Sequence, residues 1–289
     1  MFKSGNFTNL EQISLSKEIA LIGVKSTPLT SMLMAKGSIE KALSTIYTWR
    51  ERTLNETNDL SAVEGEDTTV FYESARAELN NILEIFKKGA SISGTALAMK
   101  STQFTEEITD RLIELKQNME MKFITGLRKD GSTTPFKRQL SGILEFADPT
   151  NAVTGLVTEA NIKQLMRNLW NKNLSAGEHY LFVNADIKEK IDEIYKDKYG
   201  YNHVTTNFGL LVDSINTNYG EVRIVLSKHI PVDKAILFNE SYLDLVFLRE
   251  PTFEPLSKTG DSLKGHIVAE ASLKYGTRKA FAVFTEKTS

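Results

Sequence analysis

The run from Gly94 to Ser101, GTALAMKS, approaches the spacing of a phosphate-binding loop, in which backbone N–H groups cradle an anion ahead of a helix. Met99 stands where such a loop needs its second glycine, and its side chain would block the close approach of phosphate, so the run reads as a turn into a helix. His179, His203, His229 and His266 are scattered, with no i,i+4 pair and no HExxH, which removes the usual zinc-ligand spacing. Glu64, Glu66 and Asp67 could surround a divalent cation, but they lack the glycine and bidentate glutamate pattern of a calcium loop and read as a solvated loop. Trp49, Arg50 and Arg52 could stack on and clamp a nucleic-acid strand. The acids Glu51 and Glu56 are interleaved with them, which favours a half-buried aromatic on a strand. There is no GxSxG elbow for serine hydrolysis. The sequence therefore offers no catalytic residue, no cofactor-binding set and no metal set.

Composition narrows the field further. The 289 residues are 41% hydrophobic and 25% charged, enough apolar material for one large domain or two intimate subdomains. Lys plus Arg number 35 against 37 Asp plus Glu, a formal charge of −2, so no bulk positive field draws phosphate backbones to the chain. Cysteine is absent, which excludes disulfides, thiolate metal sites and cysteine nucleophiles. Residues 1–21 mix charges with isolated apolar residues and contain no run of signal-peptide or membrane-spanning length. A cytosolic product without a membrane stage is expected.

The elements that would position any site follow from periodicity. Leu15, Ile19 and Ile22 suggest one short helix in a polar arm. Thr27-Pro28 suits the start of a second helix, which Gly37 would end. Residues 44–54 alternate β-branched and aromatic residues as a strand does, and Asn55 to Thr69 reads as an exposed acidic tip. Residues 79–86 fit either a helical face or a strand returning from that tip. Phe104, Ile108, Leu112, Leu115, Met119 and Phe123 keep a helical period for about six turns, the longest helix in the chain, with Glu107–Arg111 and Lys116–Glu120 as i,i+4 pairs.

Beyond Lys129-Asp130-Gly131, residues 133–149 are irregular and suggest a subdomain boundary. A helix follows Thr158, then a buried strand at 180–183, and then a helix opened by a capping-box-like Asp186 to Glu189 and closed by Gly200. Paired strands over 210–215 and 222–226 turn at Asn218-Tyr219-Gly220, and the chain ends in β-rich segments from Ala235 onward.

Taken in order, several landmarks resemble the major capsid proteins of tailed bacteriophages, with the Hong Kong 97-type coat fold that encapsulins also use. They are Ser26 to Leu29, Tyr47-Thr48-Trp49, Glu64 to Asp67, Ser91 to Thr95, Glu114 to Lys116 with Met119-Glu120, and above all Phe247 to Gly276 with its LSKTGDS and IVAEASL segments. The resemblance implies an α+β fold with an N-terminal arm over 1–27 and an extended β-hairpin loop over 45–92. It implies a peripheral domain over 28–44, 93–139 and 229–289, whose spine helix runs from Gln103 to Leu127, and an axial domain over 140–228. It makes residues 79–86 a strand.

Function is then expected to be self-assembly into pentamers and hexamers of an icosahedral shell around phage DNA, in the virion. An encapsulin-like compartment and an unrecognised enzyme are the alternatives. Expected partners are further copies of the chain, a portal, separate scaffolding or cement proteins, and packaged DNA held without sequence-specific binding. Trp49, Glu64, Glu66, Asp67, Arg249, Lys258 and Asp261 are the candidate inter-subunit contacts; for Arg249, Lys258 and Asp261 the alternative is exposed strand-end charge. No set of lysine, asparagine and glutamate marks an isopeptide crosslink, so a noncovalent shell is expected.

Overall fold

The computed structural model describes residues 26–53, 61, 63–69, 71, 73–99, 104–199, 214–258 and 260–287, with the side chains of 195–199 left aside. The expected arm helix at Leu15 to Ile22 and His203 lie outside the described residues. In chain order the elements are α1 (Pro28–Lys36), β1 (Ile39–Lys41), β2 (Ile46–Thr53), β3 (Ala75–Ile82), β4 (Glu84–Ser93), α2 (Gly94–Ala98) and α3 (Phe104–Thr125). Next come β5 (Lys129–Asp130), β6 (Arg138–Gln139), α4 (Ile143–Phe146), β7 (Val153–Gly155), α5 (Glu159–Trp170), β8 (His179–Val183) and α6 (Ala185–Tyr199). The chain closes with β9 (Ser214–Thr217), β10 (Gly220–Leu226), β11 (Lys234–Asn239), β12 (Leu243–Pro255), β13 (Ser262–Tyr275) and β14 (Phe281–Glu286).

Local signals account for many of the ends. Pro28 occupies the first position of α1, and Gly37 takes the left-handed conformation (φ 71°) that ends it. Thr158 caps α5 by accepting from the Asn161 amide. At α6 the expected capping box is two residues off: the helix already starts at Ala185, Asp186 lies in its first turn, and Asn184 accepts from the Ala185 amide at 2.6 Å. The end of α3 depends on a close backbone crossing in which the Gly142 amide donates to the Gly126 carbonyl at 2.9 Å. A Cβ on Gly142 would stand 2.6 Å from Gly126 N, so no larger residue fits without moving the crossing.

Two sheets carry the architecture. A four-stranded sheet has the order β1-β12-β13-β4, and a six-stranded sheet the order β7-β14-β11-β8-β10-β9. Residues 79–86, ambiguous by periodicity, are extended throughout: β3 pairs antiparallel with β2 from Ile46↔Ile82 to Thr53↔Ala75, and β4 pairs with β13. Only Leu83 separates them, fully buried against Ala42 and Val246, with its amide donating to the Thr45 carbonyl at 2.9 Å. One extended run thus leaves a hairpin and enters a sheet within a single residue.

Helix α3 lays Leu112, Leu115, Met119 and Phe123 into a core shared with α1, β4, β12 and β13. Each such side chain contributes about 1.5–3 kcal/mol by leaving water. A second core, with Ile162, Leu165, Met166, Leu169, Ile187 and Ile191, packs α5 and α6 on the six-stranded sheet.

The expected boundary at 228/229 falls between β10 and β11, two strands of the six-stranded sheet. Strands β11 and β14, assigned to the peripheral domain by resemblance, pair with β8 and β7 in the six-stranded sheet. Backbone pairing over such a separation leaves no trace in local periodicity.

Candidate functional site

The hairpin β2/β3 is the element whose two ends differ most, and its residues show why. At its base Trp49 is 9% exposed and packs on Phe146 and Tyr275, with ring centroids 6.1 and 6.4 Å away. Phe146 in turn stacks on Tyr275 at 4.0 Å, and the Arg278 guanidinium lies 4.8 Å over the Phe146 ring. Trp49, one of the candidate inter-subunit contacts, lies in the core of its own subunit, because the strand alternation that exposes its neighbours turns it toward the β13 terminus.

Asn81 completes the anchor. Fully buried, it donates to the carbonyls of Ser141 (3.1 Å) and Leu273 (3.0 Å) and accepts from the amides of Ile82 and Ser141 at 2.9 Å. A single amide side chain so ties hairpin, β13 and the segment before α4 together. Glu51 adds a hydrogen bond from the Thr277 hydroxyl.

The far end has the opposite chemistry. Glu64, Glu66 and Asp67 are exposed around a turn closed by the Glu66 amide on the Val63 carbonyl at 3.1 Å, and none of them forms an ion pair among the described residues. Val63 is 72% and Phe71 83% exposed. Residues 55–60 and 62 of the expected tip lie outside the described residues.

The remaining candidates divide. Arg249 is paired within its own chain: its Nε and Nη2 donate to Glu270 Oε1 at 2.9 and 2.6 Å, and Arg138 approaches the other oxygen at 3.6 Å. It sits where the β12/β13 register shifts, so its charge is held at an irregularity of the sheet. Lys258 and Asp261, 3.8 Å apart, are both exposed near the β12/β13 turn.

The motifs set aside by spacing have mundane surroundings. Ser93 caps the short α2 by accepting from the Ala96 amide, while Lys100 and Ser101 lie outside the described residues. His179 is buried with Nε2 3.2 Å from the Leu174 carbonyl, and burial lowers its pKa; His266 lies 3.3 Å from Glu254.

Two groupings have no counterpart in the motif reading. The first joins α1 to α3. Glu120, fully buried, accepts from the amides of Leu29 (2.9 Å) and Thr30 (2.7 Å) and from the Thr30 hydroxyl (2.6 Å), so a carboxylate of one helix caps another. Lys116 donates to the Ser31 hydroxyl at 2.9 Å. Burial pushes the Glu120 carboxyl up against these hydrogen bonds and the Lys116 charge, and burial lowers the Lys116 ammonium to about 8, opposed by Glu120. This i,i+4 pair, read as a helix-face pair, faces inward. The second grouping is the β5/β6 lobe, whose Phe136 is 70% exposed at a φ of 55°. An aromatic residue inside a Pro-containing polar turn was its only sequence signal.

The hairpin is thus packed at its base and exposed at Val63, Glu64, Glu66, Asp67 and Phe71, and the described residues hold no cluster of metal-ligating side chains. Solved structures share this fold. The chain is similar to the capsid of cyanophage A-1(L), at 11% identity and a TM-score of 0.67, with 99% of each chain covered. It is similar to the holo-SrpI encapsulin complex from Synechococcus elongatus, at 12% identity and a TM-score of 0.61, covering 91% of this chain and 88% of that one. The virus-like particle from Pyrococcus furiosus is similar at 15% identity and a TM-score of 0.56, over 92% and 96%. No curated protein matches the sequence. The family model described as SU10 major capsid protein matches residues 3–288, and the chain belongs to that family of capsid-shell proteins.

Proposed function

We propose that this major capsid protein closes into pentamers and hexamers that build the icosahedral head of a tailed phage. The unit around the six-stranded sheet serves as the axial domain at the ring centre, and the four-stranded sheet with α3 serves as the peripheral domain. The observation that carries the reading is the β2/β3 hairpin, fixed to its own subunit at Trp49 and Asn81 and exposed at residues 63–69 and at Phe71. A projecting acidic segment adds nothing to the core that carries it and is retained for what it meets elsewhere. Many modest contacts per subunit then suffice for a closed shell. A portal, separate scaffolding or cement proteins and packaged DNA are the further partners of this reading. The near-neutral net charge of −2 suits a wall that must not hold DNA phosphates tightly.

Negative-stain microscopy and light scattering of the purified protein at rising concentration test the proposal. Rings or shells are expected; a monomer at every concentration and salt, with or without co-expressed virion partners, overturns it. Boiled particles should run as single subunits. An enclosing compartment for a protein cargo is the second reading, favoured by the similarity to the encapsulin complex. Particles from infected cells that protect DNA from nuclease support the head, and particles filled with one enzyme support the compartment.

A further inference from the structure

We propose that Glu51 is a positioning residue: its carboxylate, held by Thr277, sets the angle at which the β2/β3 hairpin leaves the subunit, and with it the size of the particle that the subunits build. The link to particle size rests on the shell reading, whereas the angle belongs to the subunit alone.

Strand alternation places Tyr47, Trp49 and Glu51 on the side of β2 that meets the body, between exposed Ile46, Thr48, Arg50 and Arg52. Each of the three meets a different element. The Tyr47 hydroxyl donates to Glu40 of β1, whose other oxygen accepts from Lys274 of β13. Trp49 packs on Phe146 and Tyr275. The Glu51 carboxylate accepts from the hydroxyl of Thr277, in the turn between β13 and β14.

A ring packed at the middle of this row resists lifting of the strand but lets it rock, whereas hydrogen bonds at the two ends are directional and oppose rocking. The Tyr47 end is reinforced. Lys274 lies 3.6 Å from Asp244, which accepts from Lys36 (2.9 Å) and the Ser38 hydroxyl (2.8 Å). On β3, Asn81 and Asn80 are gripped at the level of Tyr47 and Thr48, with which they pair. Glu51 acts farther out, at the level of Ala77. Beyond it Arg52, Thr53, Ala75 and Arg76 are exposed and, among the described residues, form no hydrogen bond to the body. From Tyr47 to Glu51 the strand rises roughly 13 Å, so the Glu51 contact has the longest arm against rocking. Its partner is itself fixed: Thr277 is 8% exposed, and its hydroxyl also accepts from the Lys279 amide at 3.2 Å.

The chain has no cysteine, so two introduced cysteines carry the only labels. Spin labels at Arg52→Cys and Ser91→Cys, in the full-length chain diluted with unlabelled protein, read the angle as a distance distribution. Glu51→Ala should widen that distribution about twofold or more, since one net hydrogen bond is lost at the end of the row. Glu51→Gln keeps an acceptor for Thr277 and should leave the width unchanged. The midpoint of thermal unfolding should move little in either. Glu51→Met fills the same space without an acceptor and should widen the distribution as Glu51→Ala does, which covers the case in which Glu51→Ala fails to fold. In electron micrographs, particles of the widened variants should spread over a range of diameters about twice that of wild type or more, because the same contact recurs in every subunit. Distributions as narrow as the parent's in both Glu51→Ala and Glu51→Met would overturn the positioning role. Widened distributions with particles of unchanged diameter would overturn the link to particle size. Wild-type protein that forms no particles would overturn the shell reading, and the distances would still decide the role of Glu51.

Discussion

The base and the tip of one hairpin, joined by eight paired residues on each strand, obey opposite rules. Base residues Trp49, Asn81 and Ile82 are nearly or fully buried, with the Asn81 amide satisfied by its own subunit, whereas Val63, Phe71, Glu64, Glu66 and Asp67 at the tip are left in water. A strand pair is stiff enough to carry an apolar, charged end away from the body without that end collapsing onto it. Folding and assembly can then be placed on different residues of one element.

Substitutions at the base should break the subunit. Trp49→Ala removes a ring packed on Phe146 and Tyr275 and should cost about 3–5 kcal/mol, read as a lower denaturant midpoint. If it unfolds like wild type but fails to assemble, the base belongs with the tip and the contrast fails. The α1–α3 junction should behave like the base. Glu120→Ala leaves the Leu29 and Thr30 amides short of an acceptor and removes the charge that opposes the Lys116 shift, and should cost about 2–3 kcal/mol.

A pH titration sharpens the same point. Burial lowers Lys116 to about 8 from an ordinary 10.5. Between those values the unfolded chain binds more protons than the folded one, so this group makes stability rise with pH across that window. Glu120 acts in the opposite sense: its folded pKa is raised above 4.5, so the stability it contributes is present at low pH and lost as pH rises through its folded pKa. Lys116→Met should flatten the rise between pH 8 and 10.5, measured by urea unfolding, and an unchanged slope would show the ammonium to be solvated. The smallest expected effect on stability is at the tip. Replacing residues 55–69 by a short Gly-Ser turn should shift unfolding by less than about 0.5 kcal/mol while shells fail to close. Unfolding of the shortened subunit would make the tip part of the fold, and normal shells would make it dispensable.

Much of the framework was legible because its signals are local. The six-turn stripe from Phe104 to Phe123 marked the long helix, which runs from Phe104 to Thr125 within the expected Gln103 to Leu127. Pro28 and Gly37 bracket α1, and the turn at Asn218-Tyr219 joins β9 to β10. The ordered landmarks carried the family, which the match over residues 3–288 shows. Surfaces were less legible. Arg249 looked free on a strand and is held by Glu270, because which residue stands opposite depends on strand register and on the shift beside it.

Periodicity and end signals by themselves determined where α1, α3 and α5 lie and that β-rich segments close the chain, since both depend on neighbours within a few residues. Only the tertiary structure decided that Lys116 and Glu120 face inward, because i,i+4 spacing sets adjacency and not which face meets another helix. It alone put Trp49 under Tyr275 and drew β11 and β14 beside β7 and β8, contacts between residues far apart in the chain. Such pairings are settled by which surfaces bury together in three dimensions, and no local pattern records them.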